Sequence, residues 1–332
     1  MMSTPSREMT GALVLGAGML LVAGYVLYKR KSKSYSVGKL SQLILYPIKS
    51  GPPMHVQSAE CLETGLKYKQ IYDRQFALIG KRTFISIRTN LRLLKLKINY
   101  DEDTNSLILE APTMTAALSI PLQVPEYDPS KVKSFMWYDN RETLYFDYGD
   151  TYSKWLSEFL EEECRLGYAH PEIVREINPE MVYNHTAVHP DSKILFSNTH
   201  PFMIATQASL DDLNERLEDK VTMDSFRPNF VITGEGNSVI EPYIEDSWRE
   251  ICVGPDAVLY NSRSCPRCPM IYVDYDNHKM RDNKEPMTTL LRYRRGTVKK
   301  DKSKTVFGIN VTLIKHGRIS VGDKFVAAYA TA

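Results

Sequence analysis

Cysteine is scarce: Cys61, Cys164, Cys252, Cys265 and Cys268 are the only five in 332 residues. An odd, dispersed set builds no disulfide framework and suits a reducing compartment. Several catalytic signatures are missing as well. No Walker loop and no G-x-G-x-x-G follows a strand-like run, so nucleotide binding has no support. There is no G-x-S-x-G elbow, and the seven histidines lack H-E-x-x-H or other ligand spacing. An excess of one charge is also absent. The 42 Lys+Arg against 40 Asp+Glu leave only +2, which is not the footprint of a nucleic-acid binder. With 25% charged and 43% apolar residues, wholesale disorder and collagen-like repetition are excluded. The length allows one large domain or two ordinary ones with full cores.

Long apolar runs are missing with one exception. Met9–Tyr28 is twenty residues without a charge, followed directly by Lys29, Arg30, Lys31 and Lys33. A helix of that length spans ~30 Å, the thickness of a bilayer core. The basic flank on its C-terminal side keeps that side in the cytosol, the wrong polarity for a cleaved secretory signal. The expectation is a single N-terminal transmembrane helix acting as a signal anchor. The outer mitochondrial membrane suits it as well as the endoplasmic reticulum or peroxisome. Residues 1–34 sum to +4, so the remaining body carries −2.

The body reads as β-rich. Residues 31–36 look like a polar linker. Leu94, Leu96, Ile98 and Tyr100 alternate with polar residues as in a half-buried strand. Val132–Tyr138 and Thr143–Tyr148 flank a polar turn and predict a hairpin. Thr305–Ile314 and Arg318–Ala328 read as two strands joined at His316-Gly317. Two helices are expected, Asp150–Glu163 and Ser209–Glu218, the second with Ser209 as N-cap. Short strands with few helices favour an α+β, β-barrel-rich architecture over a doubly wound sheet. A composition shift near 170–190 divides the body into 35–175 and 176–332, after an anchor and basic linker at 1–34.

Ser264-Cys265-Pro266-Arg267-Cys268-Pro269 is the most chemically suggestive segment. Four readings stand: half of a zinc site, although no second pair exists and only His278 lies near in sequence; a thioredoxin-type redox pair; one soft thiolate on a cofactor metal; or two inert buried thiols. Arg267 beside Cys268 favours the thiolate form. Phe226-Arg227-Pro228-Asn229 offers a fork of donors for a phosphate or carboxylate. Tyr46-Pro47-Ile48-Lys49-Ser50 ends an apolar run with an ammonium and a hydroxyl, a loop able to hold an anion or equally an ordinary surface Lys. Asp73-Arg74, Arg88 and Arg92 are further cationic candidates. Glu245-Asp246-Ser247-Trp248 is a polar cluster or merely a loop.

Taken in order, YPIKS at 46–50, DR at 73–74, SNTHPF at 197–202, FRPN at 226–229, EDSW at 245–248, CPRC at 265–268 and KEPMTTLLRYR at 284–294 resemble the MOSC-domain proteins of the mitochondrial amidoxime reducing component type. The resemblance covers roughly residues 37–330. It implies a MOSC N-terminal β-barrel-like domain at 35–175 and a MOSC β-barrel domain at 176–332, which bind a molybdenum cofactor, a pterin dithiolene bearing a phosphate. It implies Cys268 as the metal ligand and catalytic residue, with no ligand role for Cys265. It implies Lys49, Ser50, Arg74, Arg227 and Asn229 as cofactor contacts, with Asn198, Thr199 and Arg267 beside them. The implied activity is reduction of N-hydroxylated compounds, amidoximes and hydroxylamines, with electrons from cytochrome b5 and its NADH-dependent reductase. Pro266 stands where relatives commonly have a small hydroxyl residue, and His200 where Ser is frequent. A cofactor-handling or sulfur-carrier protein, and a membrane-anchored binding protein without turnover, are the alternatives.

Overall fold

The computed structural model describes residues 34–137, 140–177, 193–236, 239–297 and 301–329. The expected anchor lies outside these residues. Among them, no helix is long and apolar enough to cross a membrane.

Strand β1 (Ser34–Leu45) starts where a linker was expected. Its polar first residues are held by a ladder, Ser34 opposite Ala328 and Ser36 opposite Val326, so cross-strand pairing overrides local polarity. Further on, the pleat separates its side chains. Leu43 and Leu45 enter the main core, while Ile44 and Tyr46 enter a second one. Six more strands complete a barrel: β2 (Phe202–Thr206), β3 (Phe230–Thr233), β4 (Trp248–Val253), β5 (Ala257–Pro266), β6 (Val306–Lys315) and β7 (Lys324–Tyr329). Their order is β3-β2-β6-β5-β4-β7-β1, and β1 pairs with β3 to close the ring. Only β2 and β3 run parallel; the remaining neighbours are antiparallel. Closure removes the exposed edges that an open sheet would present.

The residues between β1 and β2 form smaller antiparallel sheets around helix α1 (Asp150–Leu160). The predicted hairpin is present as Val132–Met136 paired with Glu142–Asp147. Helix α1 buries Leu156, Phe159 and Leu160 and ends when Glu161 turns left-handed at φ 53°. Two links stitch this part to the barrel. One is β1 itself. The other is Gly317–Ser320, which pairs with Ser58–Leu62. The run after β6 is therefore two strands, not one: Gly317–Ser320 leaves for another sheet, and the chain re-enters the barrel at β7 after Gly322, at φ +94°.

The alternation at 94–100 is strand only from Lys97 to Asp101. Leu91–Lys95 forms a 3-10 turn capped by Asn90, whose side chain accepts the Arg92 N–H at 3.2 Å. Leu93 and Leu94 are buried consecutively there, which breaks the alternation of a half-buried strand.

Helix α2 (Gln207–Asn214) is capped by Thr206, not Ser209. The Thr206 hydroxyl accepts the Ser209 N–H at 3.2 Å, and the Ser209 hydroxyl is committed elsewhere. It donates to Glu245 at 2.8 Å and accepts the Tyr243 N–H at 2.8 Å, while Thr206 donates to Glu245 at 3.1 Å. Glu245 of the expected polar cluster is thus a fully buried staple. Burial pushes its carboxyl up to about 7. A folded-state value above the unfolded one favours folding at low pH and loses that contribution as pH rises from 4.5 through 7. In Glu245→Gln this part of the pH dependence, on the order of 3 kcal/mol, disappears. Urea unfolding of both proteins from pH 4 to 8 checks it; parallel profiles would contradict the assignment.

Candidate functional site

Four chain segments meet at one end of the barrel, each fixed by the strand it leaves or enters. Tyr46–Ser50 follows β1, Ser197–His200 precedes β2, Arg227–Asn229 precedes β3, and Cys265–Cys268 ends β5. Arg74 joins them from the neighbouring sheet. There the Arg74 N–H donates to Tyr46 O at 2.8 Å and the Lys49 N–H to Phe76 O at 2.7 Å. Gly308 permits the close approach of β6 to β2: at φ +67°, a Cβ there would lie 2.5 Å from Ile204 O.

The segments enclose a cavity of about 320 Å³. All nine residues expected from the sequence line it: Lys49, Ser50, Arg74, Asn198, Thr199, Arg227, Asn229, Arg267 and Cys268. Arg88 and Arg92 do not; Arg92 pairs with Glu161 at 2.5 Å instead. Two cations with no local sequence signal complete the lining, Arg263 from inside β5 and Lys304 just before β6. The wall thus holds six basic side chains and no carboxylate.

Those charges are held from behind. Asp73 accepts the Tyr46 N–H at 2.7 Å and pairs with Arg74. Arg263 pairs with the fully buried Asp301 at 2.6 Å. The Arg227 guanidinium lies 4.0 Å over the Tyr46 ring and donates to Gly51 O at 2.7 Å and the Tyr275 hydroxyl at 3.1 Å. Lys49 is buried between the rings of Phe84 and Trp137 and donates to Phe196 O at 3.0 Å and Asn198 Oδ1 at 2.6 Å. Burial, with Arg175, Arg74 and Arg227 nearby, drives its ammonium well below the usual lysine range. Cations crowded in this way are relieved by an anion. Asn229 plays a different part: its amide accepts from Met203 N at 3.1 Å and donates to Ile44 O at 3.1 Å, tying β2 to β1.

The two cysteines differ. Cys265 lies 2.9 Å from the Arg267 guanidinium and packs against the second core. Cys268 is exposed to the cavity. No group of three His, Cys, Asp or Glu side chains able to hold a metal occurs among the described residues, so none of these supplies the further ligands a structural zinc would need. His278 is exposed on a turn.

Backbone strain marks the same place. Among the described residues ten that are not glycine have positive φ, and three of them, Ser50, Arg74 and Arg227, line this cavity. Strain of this kind collects where a site must be pre-shaped.

A pterin phosphate with a soft metal makes specific demands, and the residues present meet them. Ser197 Oγ, His200 Nε2, Arg227 Nη2 and Arg267 Nε are buried in the lining without a hydrogen-bond partner. Such atoms are costly unless a ligand satisfies them. Arg and Lys donors suit phosphate oxygens, and an accessible thiol suits a soft metal. Burial, with Arg263 nearby, pushes His200 down to about 3, so its ring adds no charge. Pro266 closes β5 opposite Val306 and offers no side-chain donor to the cavity.

Comparison with known proteins agrees with this architecture. Residues 37–163 match the MOSC N-terminal beta barrel domain, and residues 191–326 match the MOSC domain. The chain is 32% identical over 303 residues to mitochondrial amidoxime-reducing component 1 of Mus musculus, covering 89% of this chain and 84% of that protein. It is 33% identical over 307 residues to mitochondrial amidoxime reducing component 2 of Bos taurus, with the same coverage, 89% and 84%. The Homo sapiens component 1 is 32% identical over 300 residues.

Proposed function

Since the chain belongs to the mitochondrial amidoxime-reducing component family of MOSC proteins, we propose that it is a molybdenum-dependent oxidoreductase that reduces N-hydroxylated compounds. The observation that carries this reading to the residues is a carboxylate-free wall of six cations with an exposed thiol, Cys268, beside the half-buried Cys265.

The cofactor, when bound, supplies a two-electron centre for removing oxygen from nitrogen. The chain's residues hold and orient it. Cys268 gives the metal its thiolate and is the catalytic residue. Arg74, Arg227, Arg267 and Lys49 take the phosphate and pterin oxygens, with Ser50, Asn198 and Thr199 as neutral donors. Asn229 holds the two strands that carry this wall. His200 stays neutral above pH of about 3 and presents Nε2 as an uncharged ring nitrogen. The overall change takes two electrons and two protons per amidoxime and gives the amidine and water.

The electrons come from cytochrome b5 and its NADH-dependent reductase. Residues 35–175 and 176–332 are the two domains, and the first lends β1 to the barrel of the second. Met9–Tyr28 anchors the chain in the mitochondrial outer membrane with the body facing the cytosol; the basic flank at Lys29–Lys33 and the mitochondrial naming of the relatives support this. The test is benzamidoxime supplied with NADH, the reductase and cytochrome b5. Benzamidine forming in step with NADH loss is expected. No product from protein loaded with molybdenum would refute the assignment.

A further inference from the structure

The cavity opens beside a segment that contributes only Lys304 to its wall. Residues 292–304 hold seven basic residues and one acid, Asp301. The chain from residue 35 onward sums to −2, and to −8 once those thirteen residues are set aside. A concentrated positive charge thus stands on an otherwise acidic body.

The segment is built onto the site. Helix α3 (Met287–Tyr293) delivers Arg292 and Tyr293. The Gly296 N–H donates to Lys304 O and the Val306 N–H to Arg294 O, both at 3.0 Å, which pins the two arms together. The Arg267 N–H donates to Thr305 O at 2.8 Å, tying the base of the segment to the turn that carries Cys268. Some of the charge is spent: Arg294 pairs with Asp246 at 2.6 Å and Lys304 with Asp301 at 3.2 Å. Arg292, Arg295 and Lys302 are exposed, and no carboxylate among the described residues lies within ion-pair distance of them.

Tyr293 sits among these cations and begins a ladder of rings leading inward. Centroids are 5.9 Å apart from Tyr293 to Tyr243, 6.3 Å from Tyr243 to Phe307 and 3.9 Å from Phe307 to Phe226. Phe226 lines the cavity.

We propose that Arg292, Arg295 and Lys302 are the docking surface for the acidic face of a one-electron donor protein. The inference rests on the reductase reading of the cavity. Solvated cations select carboxylates on the partner, and the acidic remainder of the body repels such a partner elsewhere, so encounters are steered to this rim. Anionic lipid headgroups offer similar charge but make no use of a ring ladder ending at the cavity. Each encounter oxidises one donor molecule and passes one electron inward; two encounters and two protons balance the release of one water.

The experiment compares the holoenzyme with an Arg292→Glu/Arg295→Glu/Lys302→Glu variant and its Gln counterpart. One donor is the soluble haem domain of cytochrome b5, and the other is dithionite-reduced methyl viologen. With cytochrome b5, the variant's KM for the donor should rise about tenfold or more and lose its salt dependence, with the Gln form between. Direct titration with cytochrome b5 should weaken in parallel, and viologen-driven turnover should hold. Unchanged cytochrome kinetics overturn the docking surface, as does an equal loss with both donors. Loss of binding to anionic vesicles with cytochrome binding kept assigns the patch to lipid and overturns it too. A parent that turns over with neither donor contradicts the reductase reading instead.

Discussion

Cys268→Ala loses N-reductive turnover by at least ~10²-fold, while Cys265→Ala keeps most of it. The lower bound comes from the effect of disturbing groups that merely support a metal ligand, which cost 10- to 100-fold; removing the ligand itself costs more. Cys268 opens onto the cavity, so its loss takes away the soft donor and little packing. Cys265 is placed to do something else. Its sulfur lies 2.9 Å from the Arg267 guanidinium, which also donates to Phe226 O at 2.6 Å. Removing one of these contacts costs about 1 kcal/mol, a few-fold in how firmly Arg267 is held. The measurement is benzamidoxime turnover per bound molybdenum, with the paramagnetic signature of the half-reduced metal as a second readout. The signature should change in Cys268→Ala and persist in Cys265→Ala. Equal turnover of Cys268→Ala and the parent would end the assignment of Cys268.

Arg227→Met empties the site. This side chain reaches the cavity with a partnerless Nη2 while its other terminal nitrogen holds Gly51 O at 2.7 Å. It therefore serves the ligand and the loop after Lys49 together. Methionine keeps much of the packing over Tyr46 but removes every donor, and pterin and molybdenum content should fall about tenfold or more. Arg227→Lys should recover little, because a point charge cannot reproduce a fork that serves two directions. Tyr275→Phe is the control: it deletes the 3.1 Å hydrogen bond to Arg227 and leaves the cation, so content should stay near that of the parent. Circular dichroism separates loss of ligand from loss of fold. Full cofactor content in Arg227→Met would show that the guanidinium does not contact the ligand.

Much of this site is legible in the sequence because its parts are short and chemically marked. Lys49-Ser50 ends an apolar run, Arg227 leads into β3 and Cys268 follows β5, and barrel strands whose ends share one rim bring such segments together. Arg263 and Lys304 are not marked. Arg263 looks like one polar residue in a strand, and its meaning depends on Asp301, which is distant in sequence and buried beneath it. The three left-handed residues are equally silent, since neither Ser nor Arg advertises positive φ as glycine does. In the fold, local patterns succeed where a segment meets one partner, as in the hairpin of Val132–Met136 with Glu142–Asp147. They fail where long-range pairing decides. Ser34–Ser36 is polar and becomes strand because β7 is there to receive it. Ser209 is a good helix cap by composition, yet Glu245 claims its hydroxyl and Thr206 caps in its place.

We propose that one end of the barrel holds a molybdenum pterin through Cys268 and a ring of cations. The most direct measurement is the metal and pterin content of the purified full-length protein, by elemental analysis and by fluorescence of the oxidised pterin. Molybdenum and pterin are expected in equal amounts, approaching about one of each per chain. Near-stoichiometric zinc with neither molybdenum nor pterin would contradict it.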